Sequence, residues 1–215
     1  MKFFVDSADI NEIKKAKKLG LADGVTTNPT LIMKSGRDFK KTVLEITDSI
    51  EGPVAVEPVS KDFKGIMEEG EKYASWAENV TVKIPITTPG LQAVKELNNQ
   101  GISTTVTLIF SPTQSILAAK AGAEYICPFV GRLDDISSPG MDLISEIVTI
   151  FDNYPDLTTE IIVASIRNPL HILDSALMGA DGVTIPYGVM EKLVKHPLTD
   201  IGIDKFLKDW EKVKS

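Results

Sequence analysis

Eight short apolar runs, each followed by a longer segment of helical period, make up almost all of this sequence. The strand-like runs are Phe3–Val5, Gly24–Thr26, Val54–Glu57, Thr81–Ile84, Thr104–Leu108, Tyr125–Phe129, Ile161–Ala164 and Gly182–Ile185. Between them the spacing predicts helices over Ile10–Leu19, Phe39–Ile50, Phe63–Ala77, Gly90–Asn99, Thr113–Ala121, Met141–Phe151, Pro169–Met178 and Gly188–Lys195. In the fourth of these Leu91, Val94 and Leu97 recur at spacing three, the apolar stripe that a sheet-covering helix needs. Strands that alternate with helices form parallel sheets, and eight units in about 200 residues fit closure into a barrel. The expected fold class is therefore α/β, a single (β/α)8 TIM barrel; a doubly wound open sheet is the alternative.

No linker or low-complexity stretch divides the 215 residues, so residues 1–215 read as one domain. Gly122 and Gly179 follow the fifth and seventh helical segments, where a left-handed residue ends a helix. An additional C-terminal helix over Ile203–Val213 carries Ile203, Phe206, Leu207 and Trp210 at i, i+3, i+4 and i+7. It packs either on its own barrel or on a neighbouring subunit.

Acidic residues outnumber basic ones 30 to 23, a formal charge of −7. Such a chain is poorly suited to nucleic acid, and an anionic ligand would need a local positive pocket. Lys14-Lys15 and Lys17-Lys18 read as the solvated face of a helix. The only cysteine, Cys127, lies in an apolar run, so it reads as a buried structural thiol in a reducing compartment. An acidic residue as early as Asp6 and no long apolar run predict neither a secretory leader nor a membrane span, hence a cytoplasmic protein. His171 and His196 lack metal-ligand spacing and there is no glycine-rich nucleotide loop; no metal and no cofactor are expected.

In barrels of this kind the chemistry collects at the carboxyl ends of the strands. Those ends offer Asp6, then Thr26 and Asn28, then Glu57, Lys83, Thr107, Arg132, and Ser165 with Arg167; strand eight ends in an apolar Ile-Pro and reads as offering nothing. Alternation places Val82 and Ile84 on one face of their strand and Thr81 and Lys83 on the other. A lysine inside a closed barrel loses solvent, which disfavours its ammonium form, and a neutral amine is what attack on a carbonyl requires. The plainer reading is a lysine paired with Asp6 or Glu57. Two carboxylates beside an imine-forming lysine could move protons and position a water, with Thr107 holding that water. Gly131 would permit a tight turn before Arg132, which with Arg167 suits an oxyanion such as phosphate. The alternative is a salt bridge, with Asp134 or Asp135 as partner for Arg132.

The blocks Phe-Val-Asp-Ser at 4–7, Gly-Val-Thr-Thr-Asn-Pro-Thr-Leu-Ile at 24–32, Val-Lys-Ile-Pro at 82–85, Pro-Phe-Val-Gly-Arg at 128–132 and Ala-Ser-Ile-Arg at 164–167 resemble the small transaldolase family, which includes the fructose-6-phosphate aldolases. The resemblance is collinear through the Lys-His-Pro-Leu-Thr-Asp block at 195–200 and into Phe206–Trp210. It implies Schiff-base aldol chemistry, with Lys83 as the imine-forming lysine and Asp6 as the proton-transfer acid. Asn28 and Ser165 match residues that hold the donor's hydroxyls, and Arg132 and Arg167 match phosphate contacts. The implied reaction moves a dihydroxyacetone unit from fructose 6-phosphate or sedoheptulose 7-phosphate to glyceraldehyde 3-phosphate or erythrose 4-phosphate, in the pentose phosphate pathway. The resemblance also implies a homo-oligomer, a decamer or pentamer, with the C-terminal helix reaching a neighbour.

Two positions speak to the branch. The aldolases resemble one another in a glutamine where this chain has Glu57 and a tyrosine where it has Phe129, so this pair looks like the transaldolase pattern. A fructose-6-phosphate aldolase is the alternative. A third reading, a non-catalytic barrel that binds sugar phosphates, would tolerate Lys83→Met. Thr105 stands where many relatives carry asparagine, and Ser7 replaces a more usual threonine while keeping the hydroxyl.

Overall fold

In the computed structural model, which describes residues 1–213, eight strands close into a barrel. They are β1 (Lys2–Asp6), β2 (Gly24–Thr26), β3 (Val54–Val56), β4 (Val80–Pro85), β5 (Thr104–Ile109), β6 (Tyr125–Pro128), β7 (Glu160–Val163) and β8 (Gly182–Ile185). Each strand pairs in parallel with the next. The ring closes where Lys2–Val5 lie opposite Gly182–Ile185, which excludes the open sheet. The (β/α)8 barrel is therefore the observed fold.

The helices in chain order are α1 (Ile10–Lys18), α2 (Pro29–Ser35), α3 (Phe39–Ser49), α4 (Phe63–Ala74), α5 (Thr88–Asn99), α6 (Pro112–Ala121), α7 (Val130–Asp134), α8 (Gly140–Asp152), α9 (Pro169–Met178), α10 (Tyr187–Met190) and α11 (Pro197–Val213). Four differ from the sequence expectation. Helices α2 and α7 are not among the expected ones because seven and five residues are too few to show a helical period. The helix expected over Gly188–Lys195 shrinks to the single turn α10, and the C-terminal helix starts at Pro197 rather than Ile203. Proline at a first helical turn is favourable, so Pro197 opens the helix where the apolar stripe alone does not reveal it.

Alternation along the strands divides two environments. Val5, Val25, Val56, Val82, Ile84, Val106, Ile126, Val163, Val183 and Ile185 face the helices and pack with Ile13, Ile46, Ile66, Leu97, Ile147 and Ile172 in one cluster. Each such side chain contributes roughly 1.5–3 kcal/mol by burial. A separate inner cluster holds Phe4, Tyr125, Cys127, Ile162 and Ala164, with the Phe4 and Tyr125 rings edge to face at 6.1 Å. The rest of the barrel interior is polar: Thr26, Thr81, Lys83, Thr105, Thr107 and Thr184 are all buried.

Four βα joints at the carboxyl end share one device. Asn28, Thr87, Ser111 and Asn168 each accept a backbone N–H of the following helix, and each helix has proline in its first turn. These caps fix where the loops around the barrel mouth begin. At the opposite end Gly122 and Gly179 take the predicted left-handed conformation, with φ of 93° and 89°. Among the described residues no helix is long and apolar enough to cross a membrane.

Candidate active site

A cavity of about 440 Å³ opens at the carboxyl end of the barrel. Asp6, Thr26, Asn28, Glu57, Lys83, Thr107, Phe129, Arg132, Ser165 and Arg167 all line it, so every residue singled out from the sequence comes to one place. A cavity of similar size beside α1 and α2, lined by Ser7, Glu12, Lys34 and Arg37, contains none of them.

Lys83 faces inward from β4, as alternation predicts, and is 4% exposed. Its Nζ donates to the Thr27 carbonyl at 3.0 Å and lies 3.4 Å from Glu57 Oε2. Both carboxyls of the site are held above their ordinary values. For Asp6 burial is the main cause, opposed by the Lys83 charge and the Thr26 hydroxyl. For Glu57 burial again leads, offset by the charge and hydrogen bond of Lys83 and the charge of Arg132, while Asp6 adds a small push upward. A carboxyl shifted this way works closer to neutral pH, which is what proton transfer requires.

The hydroxyls have distinct employments. Thr26 Oγ1 donates to Asp6 Oδ1 at 2.9 Å and is 2.5 Å from Thr184 Oγ1. Thr184 also lines the cavity, which corrects the expectation that strand eight offers no chemistry. The signal was present in Gly182-Val183-Thr184-Ile185: Thr184 alternates with two core-facing residues, so the last inward residue matters rather than the last residue. Thr107 Oγ1 is buried and unpartnered among the described residues, a donor and acceptor at the wall of a polar cavity. Asn28 spends its Oδ1 on capping α2 through Leu31 N–H, so its amide nitrogen is what it can offer a ligand. Thr105 does not line the cavity; its hydroxyl is 3.0 Å from that of Thr81. Ser7 likewise turns away, donating to Glu12 Oε2 at 2.5 Å. Cys127 borders the cavity with its thiol pushed up to about 12 by burial, the behaviour of a structural thiol.

The arginines stand at the exposed rim. The Arg132 guanidinium lies over the Phe129 ring, 4.9 Å from its centroid, while Arg167 Nη2 meets Asp135 Oδ2 at 2.9 Å. The expected partners of Arg132 are thus engaged elsewhere: Asp135 with Arg167, and Asp134 with His171 Nε2 at 2.9 Å. For Asp134 the unforeseen helix α7 is the reason: two positions on, it stands about 200° around the axis from Arg132. Asp135 caps that helix and is held by Arg167 instead. Gly131 lies inside that helix without a positive φ, so it serves close approach rather than a tight turn. A Cβ there would stand 2.2 Å from the Ser165 carbonyl oxygen, to which Gly131 N–H donates at 3.1 Å.

Two lining residues carry left-handed backbone without being glycine, Leu108 at φ 59° and Ser165 at φ 62°. Such positions cost of order 1–3 kcal/mol and are held where the surroundings dictate them. Leu108 sits where the β5–β6 register shifts, between Val106 and Ile109. Among the described residues no group of His, Cys, Asp or Glu has the arrangement to hold a metal ion.

A family model described as Transaldolase/Fructose-6-phosphate aldolase matches residues 3–215. The chain belongs to that family. Among curated relatives, the probable transaldolase of Aquifex aeolicus (strain VF5) is 62% identical over 213 residues, covering 99% of this chain and 98% of that protein. The probable transaldolases of Geotalea uraniireducens (strain Rf4) and Caldicellulosiruptor saccharolyticus (strain ATCC 43494 / DSM 8903 / Tp8T 6331) are 60% and 57% identical over 213 residues; each match covers 99% of this chain, and 99% and 98% of those proteins. For this transaldolase/aldolase family member, a buried amine beside two carboxyls that burial holds above their ordinary range sits beneath two rim cations. That arrangement can bind an anionic carbonyl compound and exchange protons around its carbonyl carbon.

Proposed function

We propose that this protein is a transaldolase that works through an imine on Lys83. One observation carries the reading: Lys83 is nearly solvent-free inside the barrel, within 3.4 Å of a carboxyl whose proton burial holds more tightly. Glu57 can take the proton that frees the amine. The Nζ lone pair attacks the ketose carbonyl carbon, and water leaves as the imine forms. The imine draws in the electron pair of the C–C bond one removed from its carbon as that bond breaks, and Asp6 takes the proton of the hydroxyl that becomes the leaving aldehyde. The aldose phosphate leaves, the dihydroxyacetone unit stays on Lys83 as an enamine, and an acceptor aldehyde takes it by the reverse steps. Thr107 and Glu57 hold the water that hydrolyses the final imine.

Arg132 and Arg167, with Ser165 between them and the cavity floor, suit the substrate's phosphate. Asn28 through its amide and Ser165 through its hydroxyl suit the donor's hydroxyls, while Thr26 serves mainly to keep Asp6 in place. The substrates that fit are fructose 6-phosphate and sedoheptulose 7-phosphate as donors, and glyceraldehyde 3-phosphate and erythrose 4-phosphate as acceptors, the chemistry of the pentose phosphate pathway in the cytoplasm. Glu57, a base rather than an amide, and Phe129, without a phenol to protonate the enamine, favour transfer over release of free dihydroxyacetone. Helix α11 buries none of its side chains on this barrel and exposes Leu198, Ile201, Phe206 and Leu207. That apolar face supports a homo-oligomer in which α11 packs on a neighbour.

Borohydride reduction with fructose 6-phosphate should trap a covalent adduct on Lys83, seen by peptide mass spectrometry. Lys83→Met should give no adduct and lose about 10³-fold or more in turnover. An unmodified lysine in a folded wild-type protein would overturn the reading.

A further inference from the structure

We propose that His171 is a positioning residue for phosphate recognition, holding the two arginine-bearing segments of the cavity rim in a fixed relation. The inference rests on the transaldolase reading, since it gives a function to the spacing of Arg132 and Arg167. His171 stands in the first turn of α9, buried, and its ring spans the gap between the loop after β7 and the end of α7. Nδ1 accepts the backbone N–H of Arg167 at 3.3 Å. Nε2 lies 2.9 Å from Asp134 Oδ2, and the second oxygen of Asp134 accepts Gly140 N–H at 2.8 Å.

A neutral imidazole offers one lone pair and one N–H, and this pattern uses both. Because Nδ1 is the acceptor toward Arg167, Nε2 carries the hydrogen that meets the carboxylate. The chain of contacts therefore runs from the main chain of Arg167, through the ring, to Asp134 and the first residue of α8. Each arginine sits close to one end of it. Arg167 supplies the bonded N–H itself, and Arg132 lies two residues before Asp134 on α7.

The backbone that carries the ring is in turn held from its own helix. Asn168 Oδ1 accepts His171 N–H at 3.2 Å, and Ser175 Oγ donates to the His171 carbonyl at 2.6 Å. The other side-chain link across the same gap, Arg167 to Asp135, has both partners more than half exposed and contributes little holding force. It also occupies the very guanidinium that an incoming phosphate needs. The link through the buried His171 ring joins the backbone on both sides without engaging either guanidinium. A merely structural staple would affect every substrate alike; a phosphate-positioning one affects only those that carry phosphate.

His171→Asn shortens the side chain so that it cannot reach both partners. Asp134→Asn offers one amide oxygen where two N–H groups need an acceptor. Both variants are to be compared with wild type for KM and kcat with fructose 6-phosphate, for inhibition by inorganic phosphate, and for borohydride trapping of unphosphorylated dihydroxyacetone on Lys83. The expected result is a rise of about 10-fold in KM and in the phosphate inhibition constant. kcat should stay within about 2-fold, and dihydroxyacetone trapping should not change. Equal losses with both carbonyl compounds, or unchanged phosphate inhibition in a folded variant, would overturn the inference. Should His171→Asn fail to fold, Asp134→Asn, at the more exposed end of the chain of contacts, decides alone. A wild-type enzyme that forms no adduct with fructose 6-phosphate removes the transaldolase reading and this inference together; a reactive wild type with non-discriminating variants removes this inference only.

Discussion

Lys83 shows how much a single residue can and cannot say. Its inward orientation is legible from Val82 and Ile84 on either side, which belong to the outer core. Its proximity to Glu57, the residue just past β3, depends on the pairing of β3 with β4. Phe129 is a sharper case, because its ring is both a wall of the cavity and the platform under Arg132, with Phe110 edge-on at 5.7 Å. Phe129→Tyr keeps that ring and adds a proton donor. The variant should release glyceraldehyde 3-phosphate from fructose 6-phosphate without any acceptor aldehyde about 10-fold faster than wild type, in a coupled assay. An unchanged rate would count against Phe129 as the residue that favours transfer. The partners of the arginines were not legible at this scale. Asp134 and Asp135 are near Arg132 in sequence, yet their partners are His171 and Arg167, which follow β7.

At the scale of elements, legibility followed length. Helices of nine or more residues are all foreseen in the sequence, whereas α2 and α7 are not, and those two carry or border much of the cavity mouth. Helix α11 is the opposite case: its stripe was plain, and the barrel leaves it uncovered, with Phe206 73% exposed. Replacing Phe206 and Leu207 together by glutamate should reduce the particle size seen by sedimentation. The denaturation midpoint of the barrel should hardly move, since exposed substitutions away from the core are usually within about 0.5 kcal/mol. An unchanged particle size would sink the role assigned to this face.

Across the whole molecule, the site carries a cost in stability that pH should expose. Asp6 holds its proton more tightly folded than unfolded, so its contribution to stability falls as pH rises from the ordinary value of 3.8 through the raised one. Asp6→Asn removes that loss, and Glu57 remains to face Lys83. At pH 7 the variant should be more stable than wild type by roughly 1 kcal/mol in denaturant titrations, although inactive. The gain should vanish as pH falls below 3.8, where the carboxyl becomes protonated in the folded and unfolded chain alike. A variant less stable than wild type at pH 7 would contradict the burial argument. The sequence by itself determined the barrel, because eight periodic units of matched length have few other ways to cover a parallel sheet. It also determined which side chains reach the carboxyl end, because alternation with period two is a local property. Only the tertiary structure decided what those side chains do to one another. Thr184 joining Thr26 and Asp6, Glu57 reaching Lys83, and His171 bridging α7 to α9 are contacts between strands and helices far apart in the chain. Such contacts are set by strand pairing, by closure and by the close approach that Gly131 allows, and no local pattern encodes them.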